Sequence, residues 1–96
     1  MFQIRLTQEA QDQYDYLKTD KGLEKRYKAV KTFKFLKHNP LHPSLQTHKF
    51  TSLEGPRREE ILESYAEQNT PAAYQVFWYY GPNKNQITVI SIFPQP

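Results

Sequence analysis

Apolar residues stand at Phe2, Ile4 and Leu6 with Gln3 and Arg5 between them, and this period of two is the pattern of a half-buried strand. Thr7 then offers a hydroxyl to the free backbone N–H groups of a helix start, and Glu9 places a carboxylate in the first turn, where it complements the helix dipole. From there the period lengthens. Ala10, Tyr14 and Leu17 stand at i, i+4 and i+7, which predicts an amphipathic helix ending between Lys18 and Asp20. Thr19 or Asp20 recaps the chain, and Leu23, Tyr27, Val30, Phe33 and Leu36 form a second helical stripe. That helix stops at His38-Asn39-Pro40, because a residue before proline is pushed out of the α region. So short a connection makes the two helices an antiparallel hairpin. Their stripes need a common partner, most simply a sheet.

Residues 39–55 read as a loop, with Pro40, Pro43 and Gly55, packed onto the domain through Leu41, Leu45, Phe50 and Leu53. Three strand-like runs follow, Ile61 to Glu67, Ala73 to Tyr80 and Gln86 to Phe93, separated by Asn69-Thr70-Pro71 and by 81–85. Short connections between consecutive strands imply an antiparallel meander. The run Tyr74-Gln75-Val76-Phe77-Trp78-Tyr79-Tyr80 is nearly apolar on both faces and belongs in mid-sheet. The expected architecture is α+β and spans residues 1–96 as one domain: an N-terminal strand, an α-helical hairpin, then a three-stranded antiparallel meander.

Composition sharpens this picture. Only 38% of residues are apolar but 15% are aromatic, so a small core gains its buried area from large rings. There is no cysteine, which removes disulfides, thiolate catalysis and cysteine-ligated zinc. No run approaches a membrane span and the first residues lack the apolar block of a signal peptide, so a cytoplasmic protein is expected, with no membrane partner. The net charge is +3 and unevenly spread: seven Lys or Arg and one acid, Glu24, lie between Lys21 and His38, while Glu59, Glu60, Glu63 and Glu67 gather later.

The candidate chemistry lies in four places. His38, His42 and His48 share one segment with Lys49 and are the neutral-pH acid/base candidates. Their spacings match no standard zinc pattern, and neither a metal nor a small-molecule cofactor is expected. Lys25 and Lys28 on the second helix could meet nucleic-acid phosphates or an acidic protein, or be a solvated face. Arg57 and Arg58 could touch phosphate, or pair with the neighbouring Glu59 and Glu60, which is the plainer expectation. On the central strand, alternation puts Gln75, Phe77 and Tyr79 on one face and Tyr74, Val76, Trp78 and Tyr80 on the other. The face that the helices leave open would then offer Gln75 and Tyr79 to RNA or a partner, with Phe77 better suited to packing.

Certain motifs add a resemblance. Phe35-Leu36-Lys37-His38-Asn39-Pro40 closes the second helix, Thr47-His48-Lys49-Phe50 leads to Leu53-Glu54-Gly55, and Ala73-Tyr74-Gln75-Val76-Phe77-Trp78-Tyr79 and Ile87-Thr88-Val89-Ile90-Ser91-Ile92 form the last strands. In this order they resemble the RelE/ParE superfamily of bacterial toxins over nearly the whole chain. The resemblance implies the RelE-like microbial RNase toxin fold and a toxin-like component of a type II toxin–antitoxin pair, binding RNA or the ribosome, with an acidic antitoxin as partner. The mRNA-cleaving members use lysines on the first meander strand, an arginine after the tyrosine of the second, and an arginine and a tyrosine near the C-terminus. With Tyr65 and Tyr74 as anchors, this chain has Ala66 and Gln68, then Gln75, then Gln95 at the basic positions, and no final tyrosine. A glutamine brings neither charge nor a useful pKa, so the implied mRNA interferase is a degenerate one. Some relatives place a loop histidine and lysine in the active site, which makes His48 the candidate acid/base and Lys49 the candidate phosphate ligand. The alternative is a catalytically inert protein-interaction module on the same fold.

Overall fold

A computed structural model describes residues 1–16, 23–65 and 74–94. The element order is β1 (Gln3–Leu6), α1 (Gln8–Tyr16), α2 (Leu23–His38), a 3-10 turn (Pro43–Leu45), β2 (His48–Glu54), β3 (Glu60–Tyr65), β4 (Tyr74–Tyr80) and β5 (Gln86–Pro94). The strands form one mixed sheet in the order β1-β5-β4-β3-β2. β1 runs parallel to β5, and the remaining pairs are antiparallel. The nearly apolar β4 is the middle strand. Four strands follow the helices, not three: His48–Glu54, read as part of a loop, is the edge strand β2. Its residues are exposed except for half-buried Phe50, and its pairing with β3 is irregular between Lys49 and Glu54. An edge strand with no buried face has no reason to alternate apolar and polar residues.

Thr7 caps α1 as its position predicts: its Oγ1 accepts the Ala10 N–H at 3.2 Å and donates to the Ile90 carbonyl at 3.3 Å. α2 ends at His38, before Asn39-Pro40. The residues joining the helices, Leu17 among them, lie outside the described residues, as do the side chains of Leu23 and Tyr27. Ala10, Leu36 and Leu45 pack on Val76, Trp78, Ile87, Val89 and Ile92, with Tyr14 and Phe33 beside them. Ile87, Val89 and Ile92 break a period of two, yet share one face. Trp78 pairs with Val89 and Phe77 with Ser91, so Ile90 is an extra residue in β5, and such a bulge resets the alternation. Gln13 meets the strand just beyond, where its Oε1 accepts the Ile92 N–H at 2.6 Å.

Trp78 is fully buried and its indole N–H donates to Ser64 Oγ at 2.9 Å. Ser64 and Thr47 hydroxyl oxygens are 2.7 Å apart, and Thr47 donates to the Pro40 carbonyl at 2.9 Å. This relay satisfies every hydroxyl it contains and ties the end of α2 to the central strands. No helix among the described residues is long and apolar enough to cross a membrane.

Candidate functional site

The sheet face away from this core is not an open aromatic platform. Phe77 and Tyr79 are 6% and 5% exposed and cluster with Ile61, packed by Phe50 and Ile90. The Phe50 and Phe77 rings meet edge-on at 4.8 Å. This corrects the expectation of an exposed face: the edge strand that looked like a loop brings Phe50 across β3 and covers it. Tyr79 is therefore a packing residue here.

Beside this cluster lies a polar one. His48, the first residue of β2, pairs in register with Glu63 of β3, and its Nε2 is 3.1 Å from Glu63 Oε1. The Glu63 side chain is only 6% exposed, against 51% for His48. Gln75 Nε2 donates to the same carboxylate oxygen at 3.0 Å. His48 Nδ1 lies 2.9 Å from the Gln46 carbonyl oxygen, and its ring is 5.7 Å from that of Tyr65. Both ring nitrogens thus have partners within the chain, and the Gln75 amide is occupied in holding a buried carboxylate. A buried charge is tolerable only when paired and hydrogen-bonded, and these two side chains supply the partners.

Lys49 follows His48 in sequence but not in space. Successive strand residues point to opposite faces. Lys49 accordingly pairs with Glu60 (Nζ–Oε1 3.1 Å, both exposed), on the row of β3 that alternates with Ile61 and Glu63. The two candidate catalytic residues do not converge on one point. Nor does His48 occupy a loop, as expected. Glu63 was missed as a site residue, although it stands two positions from Ile61 and so shares its covered face.

Arg57 and Arg58 sit in the turn from β2 to β3, exposed and, among the described residues, without an ion pair. The expected pairing with Glu59 and Glu60 does not form. The Glu59 carboxylate instead accepts the Arg57 backbone N–H at 2.6 Å, and Glu60 goes to Lys49. Glu59 folds closely over Gly55, so that a Cβ there would lie 2.6 Å from its Oε1 and the glutamate would have to shift. Lys25 and Lys28 fall in α2, with their side chains outside the described residues, and Ala66, Gln68 and Gln95 lie outside them altogether. His42 is a structural cap: its Nδ1 accepts the Ser44 N–H at 3.0 Å. Among the described residues, no cluster of three or more His, Asp or Glu could hold a metal.

What the arrangement offers chemically is a set of unpaired surface cations and an acid/base pair already satisfied internally. Cleavage at a ribose 2′-hydroxyl needs a free base, cationic donors for the phosphate and an acid for the leaving oxygen. In this geometry His48 would have to leave Glu63 to serve.

No protein-family model matches the sequence, and no curated protein matches it significantly. A search of solved structures matches a chain of the archaeal RelE–RelB complex from Pyrococcus horikoshii OT3, with 12% identity and a TM-score of 0.67, over 98% of this chain and 94% of that one. At that identity the likeness is one of fold: this chain is built as an α+β domain of the kind found in the RelE–RelB complex.

Proposed function

We propose that this chain is the toxin-type component of a type II toxin–antitoxin pair, with an acidic antitoxin as its protein partner. It engages RNA or the ribosome through cations, Lys25 and Lys28 on α2 and the exposed Arg57 and Arg58 at the β2–β3 turn, and as an mRNA interferase it is degenerate. The observation that carries this reading is the match along 98% of the chain to a chain of a toxin–antitoxin complex. The free guanidinium groups support the RNA half, because unpaired cations supply sequence-independent affinity for phosphate. A second reading, a catalytically inert interaction module, is favoured by one specific feature: His48 and Gln75 are both committed to Glu63.

Sedimentation with ribosomes at two salt concentrations separates the two. On the toxin-type reading the chain travels with ribosomes at low salt and is released at high salt, because lysine and arginine contacts are exchanged for counterions. A chain that stays in the supernatant at both concentrations is the inert module.

A further inference from the structure

The end of α2 and the loop after it enclose a groove that the RNA-binding cations do not explain. It has a volume of about 420 Å³ and is lined by Lys31, Lys34, Phe35, His38, Asn39 and His42. The four helical residues stand at i, i+3, i+4 and i+7 and so share one face of α2. They extend the groove along roughly 10 Å of helix axis, at 1.5 Å per residue. Its floor is fixed in advance. The Phe35 and His42 rings are 4.7 Å apart, the Asn39 N–H donates to the Phe35 carbonyl at 2.7 Å, and the His42 N–H donates to the Asn39 carbonyl at 3.0 Å.

Two properties choose the occupant. The lining is almost wholly carbon, in which lysine methylenes cover apolar surface while the ammonium groups stay at the rim. The rim is cationic, with no acid in the lining, and among the described residues Lys31 and Lys34 are exposed and make no ion pair. A nucleobase would bring its edge donors and acceptors against a wall with few partners for them, at a cost. A hydrocarbon side chain meets no such cost, and acids flanking it would reach the lysines.

We propose that this groove is the docking site for an acidic amphipathic helix of a protein partner. The helix lays apolar side chains over Phe35 and His42 and sets carboxylates against Lys31 and Lys34, the helix-in-groove mode with anchors one and two turns apart. The proposal rests on the protein-partner half of the proposed function and is independent of the RNA half.

The test is an NMR titration of the 15N-labelled chain with a synthetic amphipathic helical peptide, leucines at i, i+4 and i+7 flanked by glutamates. An oligouridylate of equal charge is titrated in parallel. The peptide is expected to shift the amides of residues 31–42. The double variant Lys31→Glu, Lys34→Glu, confined to exposed positions, should weaken binding by about tenfold or more, because like charges then face each other. Unmoved groove resonances, or equal affinity in the double variant, overturn the proposal. So does an oligouridylate that shifts these amides more than the peptide does, which makes the groove a nucleic-acid site, or groove shifts that follow protein concentration without peptide, which make it a self-association surface. The sample holds no ribosome, so failure here leaves ribosome binding standing, and failure of ribosome sedimentation leaves the groove standing.

Discussion

The two faces of the sheet share the same strands and are closed in different ways. On the helix side, α1, α2 and the 3-10 turn lay Ala10, Leu36 and Leu45 over Val76, Trp78, Ile87, Val89 and Ile92, and the polar atoms beneath them are joined in the Trp78–Ser64–Thr47 relay. On the other side a smaller cluster of Ile61, Phe77 and Tyr79 is covered by Phe50 from an exposed edge strand, and a buried carboxylate lies beside it. The first face is held by hydrocarbon with its hydrogen bonds complete. The second depends on His48 and Gln75 to make Glu63 tolerable. The difference separates a face closed by hydrocarbon from one whose closure depends on a polar pairing.

Trp78→Ala strikes the first face at its centre and should show the largest effect. It removes the largest fully buried side chain, the ring contact with Tyr80 at 4.9 Å and the bond to Ser64. The expected loss is about 3–5 kcal/mol, a large fraction of the stability of a domain this size. A thermal unfolding curve like that of the wild type would contradict the packing described.

On the second face the effect is smaller and tests coupling. His48→Ala takes a partner from a buried carboxylate and should cost about 1–2 kcal/mol, at the low end because His48 itself is half exposed. In a double-mutant cycle with Glu63→Gln, denaturant midpoints should be less than additive, since either change dissolves the same pair. Additive costs would show that the two side chains do not interact in solution.

Much of the first face was legible in the sequence and much of the second was not. The N-terminal alternation, the Thr7 cap, the stop at Asn39-Pro40 and the central place of Tyr74–Tyr80 all follow from local chemistry. β2 did not, because His48–Glu54 carries just Phe50 and Leu53 at a spacing that fits no strand period, and its pairing is irregular. Missing β2 hid its consequences: His48 and Lys49 could be taken as one site because nothing placed them on opposite sides of a strand. In the sequence Glu63 is only one of a gathering of acids, because its partner His48 lies across the β2–β3 register. The turn at Arg57 and Arg58 failed for another reason, since a backbone N–H competes with a guanidinium for Glu59 and the sequence does not say which wins.

The smallest effect sits where β4 leaves the sheet. Tyr80 touches both the Phe2 and Trp78 rings, and burial raises its phenol above the ordinary 10.0. A raised acid pKa in the folded state means that the folded chain holds its proton more tightly than the unfolded one. The stability so gained is complete below pH 10 and is lost as the pH rises through the folded value. Chemical denaturation across the alkaline range should therefore show a fall that is shallower in Tyr80→Phe. Identical slopes would mean that the phenol is as well solvated folded as unfolded.

The central proposal is that the chain binds RNA without cutting it, because the acid/base group His48 is spent on Glu63 and Gln75 carries no charge. Primer extension on translated messages after induced expression tests this most directly. The account predicts no new message ends above background. Strong codon-phased ends that vanish in His48→Ala would show that His48 leaves Glu63 to act on RNA, and the account would be contradicted.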